Sequence, residues 1–87
     1  KLIDVYQQIQ ENQVRMKETM QVMLRINTTE YDILKLACQG MTYRQIAQQR
    51  FVEETTIRSQ VNHILKKFNK KKMKDVIAQL RELDIFD

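Results

Sequence analysis

The chain of 87 residues contains one glycine, Gly40, and no proline. Sheet proteins of this length need several tight turns, and tight turns draw on Gly, Pro and Asn-Gly pairs for backbone angles that other residues resist. Without those residues all-β and α/β architectures are close to excluded, and the chain is expected to be all-α. So short a chain buries only about 60% of the surface its unfolded state exposes, which leaves no room for a deep cavity beside a full core. No cofactor is therefore expected. Cys38 is the single cysteine, so neither an internal disulfide nor a cysteine zinc site can form, and a reduced, cytoplasmic setting is the simpler expectation. No apolar run approaches the roughly 20 residues of a membrane span, and no membrane partner is expected. Because the chain opens on Lys1 rather than Met, it is expected to be a fragment of a longer protein whose upstream part is missing.

Charge is unevenly spread. The formal net charge is +4. Residues 50–74 alone hold eight basic side chains against Glu53 and Glu54, a local net of +6. Between residues 55 and 74 there is no acidic residue. A run of this kind is either a solvated face or a surface for phosphates, and helical geometry has to decide between them.

Residues 2–25 carry no turn signal. Leu2, Ile9, Met16 and Met23 recur every seven residues, flanked by Val5, Tyr6, Met20 and Ile26 and interrupted by Asn12, Gln13 and Thr19. This is a short heptad seam, marginal as an isolated coil. It suits pairing with a second copy, packing on the rest of the domain, or a linker role. Asn27 with Glu30 then forms a capping box, and Ile33, Leu34 and Ala37 recur at helical spacing up to a C-terminal cap at Gly40. Thr42 with Gln45 forms a second box ahead of a short helix bearing Ile46 and Ala47 and ending near Gln49. A third helix runs from Glu53 or Glu54 to Phe68, and a fourth from about Lys72 to Leu83. The organisation is a long N-terminal helix over residues 1–26, then a four-helix, helix-turn-helix domain over residues 27–87.

At 100° per residue, Ile57, Val61, Ile64 and Phe68 share one stripe of the third helix, which must enter the core. Thr55, Ser59, Asn62 and Lys66 form the opposite stripe, with Arg58 on its flank. Short hydrogen-bonding side chains mixed with long cations are the set that reads base edges and phosphates in a major groove. His63 lies off the core stripe and has no metal-ligand partner at a suitable spacing, and Cys38 reads as a small core residue.

These residues carry a resemblance. Residues 26–86 resemble the LuxR-type (NarL/GerE-like) helix-turn-helix domain of bacterial transcription regulators through Ile26, Asn27, Glu30, Ile33, Leu34, Leu36, Ala37, Gly40, Met41, Ile46, Ala47, Val52, Thr56, Ile57, Arg58, Val61, Ile64, Leu65, Lys67 and Phe68, without a gap. The departures are Arg50 where the family usually has leucine, Glu53 where serine usually caps, Gln60 for a frequent histidine, Lys70 for an apolar residue, and Lys72-Met73 at the start of the last helix. The resemblance implies a domain that docks its third helix in the major groove, often dimerises through its fourth, and forms the C-terminal output of a response regulator or ligand sensor.

The expected partner is double-stranded DNA, bound by a homodimer on two half-sites. By position and helical direction, Arg58, Ser59 and Asn62 are expected at bases; Arg44, Gln45, Thr55, Thr56, Gln60, Lys66 and Lys67 are expected at phosphates. Val76, Leu80 and Leu83 of the last helix, or Leu2, Ile9 and Met16 of the first, are expected to close the dimer. An enzyme is not expected, because the chain lacks a nucleophile–base pair, a phosphate-cradling glycine loop and paired carboxylates in an apolar setting. Two other readings compete. One is a sigma-factor region-four-like promoter module, suggested by Gly40-Met41-Thr42-Tyr43 before Ile46-Ala47, with RNA polymerase as partner. The other is a helical protein-interaction module without specific DNA binding.

Overall fold

The computed structural model describes residues 2–86; Lys1, Asp87 and the side chain of Asn12, one of the residues interrupting the seam, lie outside the described residues. Five helices follow one another: α1 (Leu2–Met23), α2 (Thr28–Cys38), α3 (Tyr43–Arg50), α4 (Glu54–Phe68) and α5 (Met73–Glu82). There is no strand among the described residues, and none of the helices is long and apolar enough to cross a membrane. The all-α architecture read from the turn-poor sequence is the one observed.

Both capping boxes form. Asn27 Oδ1 accepts the Glu30 N–H at 2.8 Å while Glu30 Oε1 accepts the Asn27 N–H at 3.1 Å. Thr42 and Gln45 repeat the exchange at the start of α3. Each box satisfies two N–H groups that a helix start otherwise leaves unpaired. α2 stops at Gly40, whose φ of 91° lets the Gly40 N–H reach the Ala37 carbonyl and the Met41 N–H reach that of Leu36. α3 stops the same way, yet here the left-handed residue is Phe51, with φ of 59° and a side chain open to solvent. Asn69 ends α4 at φ of 55°. Glu53 starts α4 through its carbonyl, which accepts the N–H of Thr56 and of Ile57.

The core is the set of apolar stripes facing one another. Ile33, Leu34 and Ala37 from α2 meet Ile46 and Ala47 from α3, Ile57, Val61, Ile64 and Phe68 from α4, and Met73, Val76 and Leu80 from α5. Polar bonds lock the outer contacts. Arg50 pairs with Asp32 of α2 at 3.0 Å, so an ion pair occupies the site where the resembling family has leucine. Arg81 Nη2 donates to the Cys38 carbonyl at 2.6 Å, placing a cation at the negative end of α2.

α1 packs only through its C-terminal part. Val22, Met23 and Ile26 lie against the core. Thr19, one of the residues breaking the heptad pattern, is fully buried and its hydroxyl accepts a bond from Gln79 of α5 at 2.5 Å. Arg15 pairs with Glu82. The seam is thus divided: its last members join the domain, while Leu2, Val5, Tyr6, Ile9, Met16 and Met20 stay exposed.

Candidate nucleic-acid interface

α4 turns its two faces as its sequence requires. Ile57, Val61, Ile64 and Phe68 are buried, and Thr55, Thr56, Arg58, Ser59, Asn62 and Lys66 are exposed. Gln60 sits half-buried on the flank. Because no large apolar side chain projects from that outer face, a polar and cationic surface runs its whole length.

Arg58 is the most tightly defined member. Its Nη2 lies 3.2 Å from Glu54 Oε1, one turn back, and its Cζ lies 5.3 Å from the centre of the Tyr43 ring. The exposed ion pair is worth about 0.3–0.5 kcal/mol and the cation–π contact about 0.5–1 kcal/mol. A guanidinium fork on guanine is worth about 1–3 kcal/mol of discrimination. These partners therefore orient Arg58 without holding it back from a base. The Tyr43 contact also brings the start of α3 beside the second turn of α4. Arg44 and Gln45 are exposed there. The Gln45 side-chain oxygen is taken by the Thr42 N–H at 2.9 Å, which leaves its amide NH2 as a donor.

Lys67 does not join this surface. Its Nζ donates to Glu30 Oε1 at 2.6 Å and to the Arg25 carbonyl at 3.0 Å, tying α4 to α2 and to the joint after α1. The expected phosphate contact is corrected: Glu30 is 3% exposed, and its carboxylate needs this ammonium to stay charged in a buried position. Burial pushes the Glu30 carboxyl up, but the Lys67 bond, the Asn27 N–H and the charges of Lys67 and His63 outweigh it and hold the group below its ordinary value.

The dimer residues expected on the last helix are corrected as well. Val76 and Leu80 are buried in the protomer's own core and are not available to a second copy. Leu83 is half-buried, and the outward positions of α5 are Lys74, Asp75, Ala78, Arg81 and Glu82, with Ile77 partly covered. Leu2, Ile9 and Met16 remain exposed.

Tyr43 and Glu54 are not among the contact residues expected from the sequence. The Glu54–Arg58 spacing is a readable i,i+4 pair; the Tyr43 contact is not readable, since it exists only once α3 and α4 are folded against each other. Cys38 is half-buried, and burial raises its thiol pKa even against the nearby Arg81. No group of three or more His, Cys, Asp or Glu side chains is placed to hold a metal among the described residues.

One comparison with known proteins finds a match. The family model described as bacterial regulatory proteins, luxR family (GerE), matches residues 26–79, more than half of the chain. A search of curated proteins finds no match, nor does a search of solved structures. The matched segment begins at Ile26 and runs through the two capped helices, the turn at Phe51 and the whole of α4. The chain belongs to the LuxR family of bacterial regulatory proteins, and its helix-turn-helix is the DNA-binding domain of a transcription regulator.

Proposed function

We propose that the protein inserts α4 into the major groove of duplex DNA and reads bases with Arg58, Ser59 and Asn62. Arg44, Gln45, Thr55, Thr56, Gln60 and Lys66 hold phosphates on either side. Two copies occupy two half-sites, and the domain serves as the C-terminal output of a response regulator or related cytoplasmic regulator. One observation carries the reading: α4 exposes an unbroken face of hydroxyl, amide and cation, continuous with a stretch without a carboxylate from Thr55 to Lys74. A helix about 10–12 Å across fits a groove about 12 Å wide, and a face of this composition finds complementary partners there.

The reading is tested by titrating the protein into a labelled duplex at several salt concentrations. The logarithm of affinity is expected to fall linearly with the logarithm of salt, by about 0.9 for each phosphate engaged. Lys66→Ala should lower that slope by about one and weaken all sequences alike. Affinity that ignores salt contradicts the proposal.

A further inference from the structure

α1 is attached to its domain along one side. Thr19 is bonded to Gln79, Arg15 to Glu82, and Val22 and Met23 lie against the core. At 100° per residue, Leu2, Val5, Ile9, Met16 and Met20 form a second stripe, roughly a quarter turn from the attached side. All five side chains are exposed, Leu2 to 89%. The molecule measures 51 × 21 × 20 Å, and a helix of 22 residues is about 33 Å long, so the N-terminal part of α1 extends past the body of the domain.

We infer that this stripe pairs, parallel and in register, with the same stripe of a second copy of the chain, and that the paired α1 helices hold two DNA-reading domains together. The inference rests on the reading of the protein as a regulator that acts in two copies; it adds the surface that joins them. The seven-residue recurrence of Leu2, Ile9 and Met16, with Val5 between the first two, suits a partner helix of the same period, because a heptad seam stays on a neighbour by supercoiling with a matching seam. An identical helix supplies that match. The flanking positions Tyr6, Gln8 and Gln13 are uncharged, and Arg15 is drawn to Glu82 of its own protomer. Asp4, Glu11 and Glu18 fall on the opposite side of the helix. Nothing along the stripe repels an identical copy, and no charge there selects a different partner.

The surface also continues onto α5. Ile9, Gln13 and Met16 line a shallow groove with Glu82, Leu83 and Asp84. An antiparallel pairing brings the apolar Leu2 and Val5 of one copy against the side of this groove that carries Glu82 and Asp84 in the other. The parallel arrangement sets the projecting segments from Leu2 to Ile9 face to face, clear of both domains.

The test is the mass of the chain in solution without DNA, followed by sedimentation from low micromolar to several hundred micromolar. The parent chain is expected to move from monomer to dimer. Ile9→Asp, at an exposed position, should weaken the dimer about tenfold or more with an unchanged helical spectrum. In a Cys38→Ser background, Leu2→Cys should form a disulfide-linked dimer on oxidation. A parent chain that stays monomeric, or an Ile9→Asp chain that dimerises as tightly as the parent, overturns the inference. A dimer cross-linked by Leu2→Cys with Met16→Cys, in preference to Leu2→Cys alone, overturns the parallel arrangement. Binding to a single half-site is measured alongside: monomeric Ile9→Asp should retain it, whereas its loss in the parent and the variant alike contradicts the DNA reading and leaves the pairing standing.

Discussion

Arg58 meets a carboxylate and an aromatic ring in the free protein and a base in the complex we propose. Glu54, one turn back on the same helix, holds its carboxylate 3.2 Å from the Arg58 guanidinium and so sets a negative charge beside that surface. Glu54→Gln is expected to raise affinity for all duplexes by about two- to fivefold, with little change in stability, because an exposed i,i+4 pair contributes only about 0.3–0.5 kcal/mol. Equilibrium binding to specific and scrambled duplexes checks this. Glu30 gives the other residue-scale prediction. Its folded pKa lies below the ordinary 4.5, so the unfolded chain takes up the proton first on acidification. The stability from this group is complete above the unfolded value and is lost as pH falls through the lowered folded one. Lys67→Ala leaves the burial and removes the ammonium; the carboxyl pKa then rises and the loss begins at higher pH. At neutral pH the variant should be about 1–3 kcal/mol less stable by urea unfolding. Unchanged stability with uniformly weaker DNA binding would return Lys67 to the phosphate surface.

The helices show which features a sequence displays and which it conceals. Both capping boxes, the stop at Gly40 and the inward stripe of α4 were legible, since each depends on residues three or four apart in one segment. The resemblance implies a dimer through the last helix, yet Val76 and Leu80 belong to the protomer's own core; periodicity shows that α5 has an apolar stripe but not whether that stripe meets its own domain or another copy. Thr19 reads in the sequence as a break in a seam; in the fold it is a buried polar contact whose partner, Gln79, lies sixty residues away. The left-handed helix ends yield a prediction of opposite signs. Nothing lies within 4 Å of a Cβ added at Gly40, so Gly40→Ala costs about 1 kcal/mol through backbone conformation alone. Phe51 is 94% exposed at φ of 59°, so Phe51→Gly removes strain without losing packing and should stabilise by about 0.5 kcal/mol. Denaturant midpoints of the two variants should move in opposite directions.

Across the whole molecule, charge and apolar surface are kept apart. The basic quarter of the sequence supplies the outer face of α4 and the lysine-rich link to α5, while most of the exposed large apolar side chains lie on α1, Phe51 and Val52 at the turn before α4 being exceptions. One end of the protein therefore suits a polyanion and the other a second protein surface. The charge asymmetry was visible in the sequence from its distribution; the separation in space was not, because it depends on α1 docking by its last turns only. The central claim is that Arg58, Ser59 and Asn62 read bases, and selection of bound duplexes from a random pool, run in parallel for the parent and Arg58→Ala, tests it most directly. The account predicts a defined motif for the parent and loss of preference at one or two base pairs for the variant, each worth about 1–3 kcal/mol. A pool without enrichment, or a motif that Arg58→Ala leaves unchanged, contradicts it.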